Sequence, residues 1–341
     1  MLDSTQFKKI LKQNIIYIAH IISRLTIPLL KKLNWNVVFV INIGSSTNYY
    51  QYLPNTIAAK YSRSDKYLTS TFPIALINGR NFKGVMLLNG ASNQMLTSNR
   101  NFIGKIMQNV IGYKSSRYAM GSVIPSVYTS QKKADLPINN EDIVTSHAGL
   151  IYMMAGCMLQ AVERYPDYRL LERPIAIIGA GYSGLSLAKY LNDEGFEVNV
   201  FDIREVQQKT SKDIPIYVNK FKGIGKSGMI FLLSTDGESG FNSIKDYLTP
   251  NMVLLSNTFP HLQDSNILGI RQKGVHCFET YTHIPGIRVF PSFFNIEPQH
   301  FGGCFIQSYL ESINQKHYKD DVQAFTTDAN KIGMAPYLKE L

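Results

Sequence analysis

A short apolar run, Ile175-Ala-Ile-Ile178, leads directly into Gly179-Ala-Gly-Tyr-Ser-Gly184, and a helical pattern from Leu185 to Glu194 follows. A second apolar run, Val198–Phe201, ends in Asp202, 18 residues past Gly184. Three glycines at GxGxxG spacing between a strand and a helix leave few folds open. The first permits a tight turn, the second lets the backbone approach a pyrophosphate, and the third lets helix and strand pack closely. The helix N-terminus adds free N–H groups and the positive end of its dipole. Asp202 is placed to accept from an adenine ribose and Arg204 to meet a 2′-phosphate, so NAD(H) and NADP(H) both stay open. Gly179, Gly181, Tyr182, Ser183, Gly184, Asp202 and Arg204 are therefore candidate cofactor-binding residues.

The pattern around this motif predicts an α/β chain. Beyond Pro174 the apolar runs Ile175–Ile178, Val198–Phe201, Met229–Leu233, Met252–Leu255 and Val275–Phe278 alternate with helical or loop segments, with Ile287–Phe290 as a further strand. Strands of this kind form a parallel sheet covered on both faces, with ligands at the carboxyl ends. Ser234 and Thr235 end one such strand and Ser256 and Asn257 another. Ser234, Thr235 and Asn257 join the cofactor candidates, with helix capping as their structural alternative. Upstream, Asn36–Ile43 reads as a strand, Ile74–Ile77 and Phe82–Leu88 as a hairpin around Asn78-Gly79, 93–112 as helical and Gly121–Tyr128 as a strand end or edge. A helix spans His147–Tyr165, with Thr145 and Ser146 as N-cap side chains. The expected organisation is an N-terminal α/β substrate domain (1–145), a linking helix (146–173), a Rossmann-type doubly wound parallel-sheet domain (174–300), and a last helix from near Pro298 with a polar, helically finishing tail (301–341).

Hydrophobic residues make up 45% of the 341, which excludes disorder as the dominant state. Cys157, Cys277 and Cys304 form no CxxC pair and no disulfide framework, as in a reducing compartment. No HExxH, GxSxG or Walker motif occurs, and His276, His283 and His300 lack spaced carboxylate partners, so no metal site is expected. Thirty-five Lys/Arg against 25 Asp/Glu give a net +10, which favours an acidic partner. Residues 1–34 hold six of the basic residues and one Asp. There Leu11, Ile15, Ile18, Ile22, Leu25 and Leu29 fall on one helical face, with Lys8, Lys12 and Arg24 off it. Residues 7–33 therefore read as an amphipathic helix that touches either lipid or its own domain. His20, Arg24 and Pro28 interrupt the run, and no cleavage site follows it, so neither a membrane span nor a signal is expected. The expected location is cytoplasmic, with peripheral membrane contact through residues 7–33 and no nucleic-acid partner.

For the chemistry itself, Cys304 in Gln299-His-Phe-Gly-Gly-Cys-Phe305 stands near the start of a helix, where backbone N–H groups favour a thiolate. Gly302 and Gly303 leave room for a carbonyl, and a thiolate that accepts an acyl group makes a thioester that hydride reduces to an aldehyde. The structural alternative is a buried small hydrophobe. His147, at the start of its helix, is the candidate proton donor, or else a capping or interdomain histidine.

These residues give the chain a resemblance to the cyanobacterial-type, aldehyde-forming long-chain acyl-[acyl-carrier-protein] reductases, in register over about residues 75–315. Asn78-Gly-Arg-Asn-Phe-Lys-Gly84, Ala119-Met-Gly-Ser-Val-Ile124, Ser146-His147, Val253–Pro260 and Phe301-Gly-Gly-Cys-Phe305 carry it. The resemblance implies that Cys304 takes the acyl group from an acidic acyl carrier protein, for which the basic N-terminal cluster is a candidate patch. The amphipathic N-terminus has no counterpart in that family, and two further features depart from it. Its phosphate loop is of GATGxxG type, and it places a basic residue where Asp202 stands, so this chain leans to NADH. A reductase of acyl thioesters is thus the first expectation. An NAD(P)-dependent amino-acid, imine or 2-hydroxy-acid dehydrogenase is the alternative, and a non-catalytic dinucleotide-binding protein the third.

Overall fold

In the computed structural model the apolar runs become strands; it describes residues 26–44, 71–98, 101–121, 124, 142–144, 147–204, 214–234, 237–258, 262–290 and 300–341. In chain order the first elements are β1 (Trp35–Gly44), β2 (Thr71–Gly79), β3 (Phe82–Ser92), α1 (Asn93–Ser98), α2 (Asn101–Ile111), β4 (Ser115–Met120), β5 (Ile143–Val144) and α3 (Ala148–Arg164). Then come β6 (Ile175–Ile178), α4 (Tyr182–Asp193), β7 (Val198–Asp202), β8 (Ile216–Val218), β9 (Met229–Leu232), α5 (Gly237–Ile244), β10 (Val253–Ser256) and α6 (Asp264–Gln272). The last are β11 (His276–His283), β12 (Arg288–Phe290), β13 (His300–Phe301), α7 (Gly303–Asn314), α8 (Val322–Lys331) and β14 (Ala335–Glu340).

Two units divide the chain. The first takes Met1–Thr145, Gly286–Gln299 and Ser308–His317; the second takes Ser146–Pro285, His300–Gln307 and Tyr318–Leu341. The sheet of the first runs β12-β2-β3-β1-β4-β5. The Asn78-Gly79 turn closes the β2–β3 hairpin, with Gly79 opposite Phe82. Strand β1 lies parallel to both β3 and β4, so Val37, Val38 and Val40 are wholly buried. Helix α2 presents Phe102, Ile103, Ile106, Met107 and Val110 at helical spacing to the same core.

The second unit orders its parallel strands β8-β7-β6-β9-β10-β11, with β13 and β14 antiparallel on β11. Counting from β6 this is 3-2-1-4-5-6, the order of dinucleotide-binding folds. Its strands are apolar on both faces, as a sheet covered by helices requires: β6, β9 and β10 are buried throughout. The α/β class and the Rossmann-type domain read from the sequence are what the chain adopts.

Several boundaries differ from the sequence reading. Arg288–Phe290 is a strand, but it pairs antiparallel with β2 in the first unit, outside the Rossmann sheet. Ile287, 2% exposed, packs beside Gly79 there. The linking helix, α3, belongs to the second unit; its Gly156 and Gln160 meet Pro336 of β14. The polar tail finishes as a strand, because β14 completes the edge of β11 over six register pairs. The helix expected from near Pro298 starts at Gly303, and a further helix, α8, follows it. The stretch 93–112 forms two helices and a strand runs over Ser115–Met120; of the strand end or edge expected at 121–128 only residues 121 and 124 are described. Of residues 7–33, only 26 onward are described; there Leu30 packs on the first unit's core and Trp35 Nε1 donates to its carbonyl at 3.0 Å. The N-cap side chains Thr145 and Ser146 lie outside the described residues. No described helix is long and apolar enough to cross a membrane.

A buried ion cluster ties the returning segment 308–317 into the first unit. Arg117, 6% exposed, places Nε 3.6 Å from Glu311 and Nη1 3.4 Å from Asp142. His317 Nδ1 lies 3.5 Å from the same Glu311 carboxylate. Removing one partner leaves buried charge without compensation, which costs about 3–5 kcal/mol. Glu311→Ala should therefore lower unfolding free energy by about 3 kcal/mol. Urea titration that finds less than a third of that would show the cluster to be dispensable.

Candidate functional site

The site in the second unit begins where β6 stops. Gly179 turns the chain with φ +109°, and its N–H donates to Phe201 O at 2.8 Å. A Cβ on Gly179 would lie 2.9 Å from Leu233 O, and one on Gly184 would collide with Gly179 O. Gly181 is different: nothing lies within 4 Å of where its Cβ would be. Two of the glycines are thus required by the protein's own packing, while the third keeps space open toward solvent. Helix α4 starts at once, with no capping side chain and no acidic residue in its first turn. Its leading N–H groups are left for an anion.

Asp202 closes the other side. It is 7% exposed; Oδ2 accepts from Ala180 N at 2.7 Å and Oδ1 from Arg204 N at 2.9 Å. A carboxylate oxygen can accept twice, so each keeps capacity for a ribose hydroxyl. The Arg204 side chain is exposed, with Nε 3.8 Å from the carboxylate. Gly179, Gly181, Asp202, Arg204 and Ser234 line one cleft of about 200 Å³. Phe201, Phe221, Ser239 and Ser243 complete it. Ser239 and Ser243 stand on α5, where Gly240 has no room for a Cβ against Ser234. No local pattern in the sequence marks Ser239 or Ser243, since only the packing of α5 brings them to the cleft. The cleft, the open position at Gly181 and the uncapped helix fit a dinucleotide, and the cofactor is NAD(H) or NADP(H).

The remaining candidates are placed as follows. Thr235 lies outside the described residues. Asn257 is half-buried at the end of β10, its N–H donating to Leu232 O at 3.1 Å, and it does not line the cleft. Ser256 is buried, with its hydroxyl 3.2 Å from Thr258 Oγ1. Tyr182 and Ser183 open α4, and both meet His147. The His147 ring stands edge-on to Tyr182, centroids 4.3 Å apart, with Nε2 3.1 Å from Ser183 Oγ. The His147 backbone N–H donates to Asp320 Oδ1 at 3.2 Å. Burial pushes the imidazole down to about 4, against the pull of Asp320, so it is neutral at neutral pH.

Cys304 is the second residue of α7, half-buried, and follows directly on β13, which pairs with the last two residues of β11. It therefore stands at the carboxyl edge of the sheet. Burial nevertheless raises its thiol above the ordinary range, opposed by the amides of Cys304 and Phe305. The glycine before it has a packing role: a Cβ on Gly303 would lie 2.5 Å from Leu150 Cα. Gly302 faces open space. Cys157 and Cys277 are core residues, their thiols raised by burial to about 12. No group of side chains able to hold a metal occurs among the described residues.

The sequence pattern of NAD(P)-binding Rossmann-like domains matches residues 177–206. No curated protein matches the chain. Among solved structures, the chain is similar to L-tryptophan dehydrogenase from Nostoc punctiforme, at 12% identity over 87% of this chain and 80% of that one, TM-score 0.41. It is also similar to shikimate 5-dehydrogenase from Listeria monocytogenes, at 12% identity over 85% and 96%, TM-score 0.39. A D-isomer-specific 2-hydroxyacid dehydrogenase from Xanthobacter autotrophicus Py2 is similar at 14% identity over 47% and 74%, TM-score 0.33.

Two predictions separate the roles of these residues. Gly181→Val should fold normally and lose dinucleotide binding, whereas Gly184→Ala should lower stability by about 1–3 kcal/mol through overpacking. Thermal melts and cofactor titration of the two variants test this; equal behaviour would contradict it. His147 takes up a proton in the unfolded chain near pH 6.5 but in the folded protein only near pH 4. Its full contribution is therefore present above pH 6.5 and is lost as pH falls to about 4, a change on the order of 3 kcal/mol. Denaturant titrations at a series of pH values should show this slope in the wild type, and a shallower one in His147→Gln.

Proposed function

We propose that the protein is an NAD(P)-dependent oxidoreductase that passes hydride directly between its cofactor and a carbonyl or imine carbon, interconverting a small 2-oxo acid or imine with the corresponding 2-hydroxy acid, amino acid or amine. The observation that carries this reading is the contrast between two sites in one unit. The dinucleotide cleft is organised in advance, with the Asp202 carboxylate fixed by two amides and the α4 N-terminus uncapped. Burial raises the thiol that a thioester route requires, which disfavours its thiolate. Hydride transfer to C=O or C=N needs no protein nucleophile, so it makes no demand on Cys304.

In this reading the first turn of α4 binds the pyrophosphate, and Asp202 accepts from the adenine ribose. Phe201 and Phe221 give the cleft an apolar floor. The nicotinamide, when bound, supplies or takes the hydride. Ser234 and Asn257 offer polar groups at the carboxyl ends of β9 and β10. One observation favours the acyl-thioester reductase as the second reading: Cys304 lies in the first turn of a helix at the carboxyl edge of the sheet, with two amides toward its sulfur. An acidic carrier protein, or an anionic membrane met by residues 7–33, would be partners in that case.

Consumption of NADH or NADPH should be followed against 2-oxo acids, 2-oxo acids with ammonia, cyclic imines and acyl thioesters. Turnover is expected with one of the first three, and Cys304→Ser should leave it unchanged. Turnover confined to acyl thioesters, with an acyl adduct on Cys304 and loss of activity in the Ser variant, would replace the direct-transfer reading with the thioester route. Asp202→Ala should weaken NADH more than NADPH, because only the former presents a free 2′-hydroxyl.

A further inference from the structure

His147 and Ser183 are 36 residues apart, yet the histidine ring reaches the first turn of the cofactor helix. The ring is 6% exposed and held from three directions. Its backbone N–H donates to Asp320, its face or edge meets Tyr182 at 77°, and Nε2 stands 3.1 Å from Ser183 Oγ. The other nitrogen, Nδ1, is buried and has no hydrogen-bond partner among the described residues. A buried N–H without an acceptor is rarer and costlier than a buried lone pair without a donor. The proton therefore belongs on Nε2. That tautomer donates to Ser183 Oγ, which leaves the serine hydroxyl hydrogen free to turn outward. The opposite tautomer would draw that hydrogen inward and present the serine lone pairs to an incoming anion.

We propose that His147 is a positioning residue of the dinucleotide site, which fixes Ser183 as a hydrogen-bond donor to the cofactor pyrophosphate. Ser183 has the place for this, one residue after the first residue of α4 and beside Gly181, where the space is open. The neutral imidazole is the form the device requires, since it keeps Nδ1 as an acceptor without burying an unpaired N–H. The role is distinct from proton donation to substrate, because the nitrogen that would donate is already engaged by Ser183. The inference rests on the cofactor assignment and adds to it a residue outside the glycine motif.

The test is nucleotide binding by the full chain, measured by calorimetry for NADH, NADPH and ADP and by ligand-observed NMR for adenosine. Ser183→Ala and His147→Phe should each weaken the pyrophosphate-bearing ligands roughly tenfold, the scale of one hydrogen bond to a charged group. Adenosine binding should not change. The double variant should be no worse than either single one, because the two side chains act in series. His147→Gln, whose amide N–H can stand near the position of Nε2, should restore most of the affinity. His147→Asn, one methylene shorter, should not, which keeps the test open if the Phe variant fails to fold. Unchanged ADP affinity in both the Phe and Asn variants would overturn the proposal, as would strict additivity or an equal loss for adenosine. A wild-type chain that binds none of the nucleotides would instead overturn the cofactor assignment, and the role of His147 with it.

Discussion

The meeting of Gly184 with the carbonyl of Gly179 sets the geometry on which the second unit's site depends. No side chain fits between them, so β6 and α4 can lie as close as two backbones allow. That closeness aims the α4 N-terminus at the end of the strand. It also brings Ala180 N within 2.7 Å of the Asp202 carboxylate at the end of the neighbouring strand. A buried carboxylate needs such donors, because an unpaired charge at 7% exposure would be costly. The loop and Asp202 thus support each other before any ligand arrives. What the cofactor meets is a fixed surface, and less of its binding energy goes into ordering the protein.

Much of this was legible in the residues, because the constraints are local. Glycine is demanded at 184 by a carbonyl five residues earlier and at 179 by its positive φ, and the apolar strand and the helix flank the motif directly. Asp202 was legible because neighbouring parallel strands in register put their ends side by side. Ser239 and Ser243 were not, since their place in the cleft depends on how α5 lies over β9, a tertiary fact. The return of Arg288–Phe290 to the other sheet was hidden for the same reason: an apolar triplet reads as a strand without saying which edge it will join.

Cys304 shows how a pattern can point to chemistry and be answered by packing. Gly-Gly-Cys at a helix start suggests room for a substrate beside a reactive thiol. Half of that room is occupied by Leu150 of α3, since Gly303 is where two helices touch. Burial raises the thiol, against the two backbone amides that favour the thiolate. Dipole and burial act on one atom with opposite sign, and a sequence displays only the first.

The first unit is assembled from three separate stretches of chain, and this bears on how it comes to be made. Arg117 emerges from the ribosome long before His317, whose Nε2 lies 3.4 Å from its guanidinium across 200 residues of chain. Until then, among the described residues, that guanidinium has Asp142 and the Ser116 carbonyl as partners, and β2 lacks its β12 neighbour. Nearly the whole Rossmann sheet is translated in the interval. Through that interval the first unit waits for its edge strand β12 and for Glu311, the carboxylate that the returning segment brings to Arg117. Newly made chains would pass through an interval in which a half-finished sheet is the most vulnerable surface they carry.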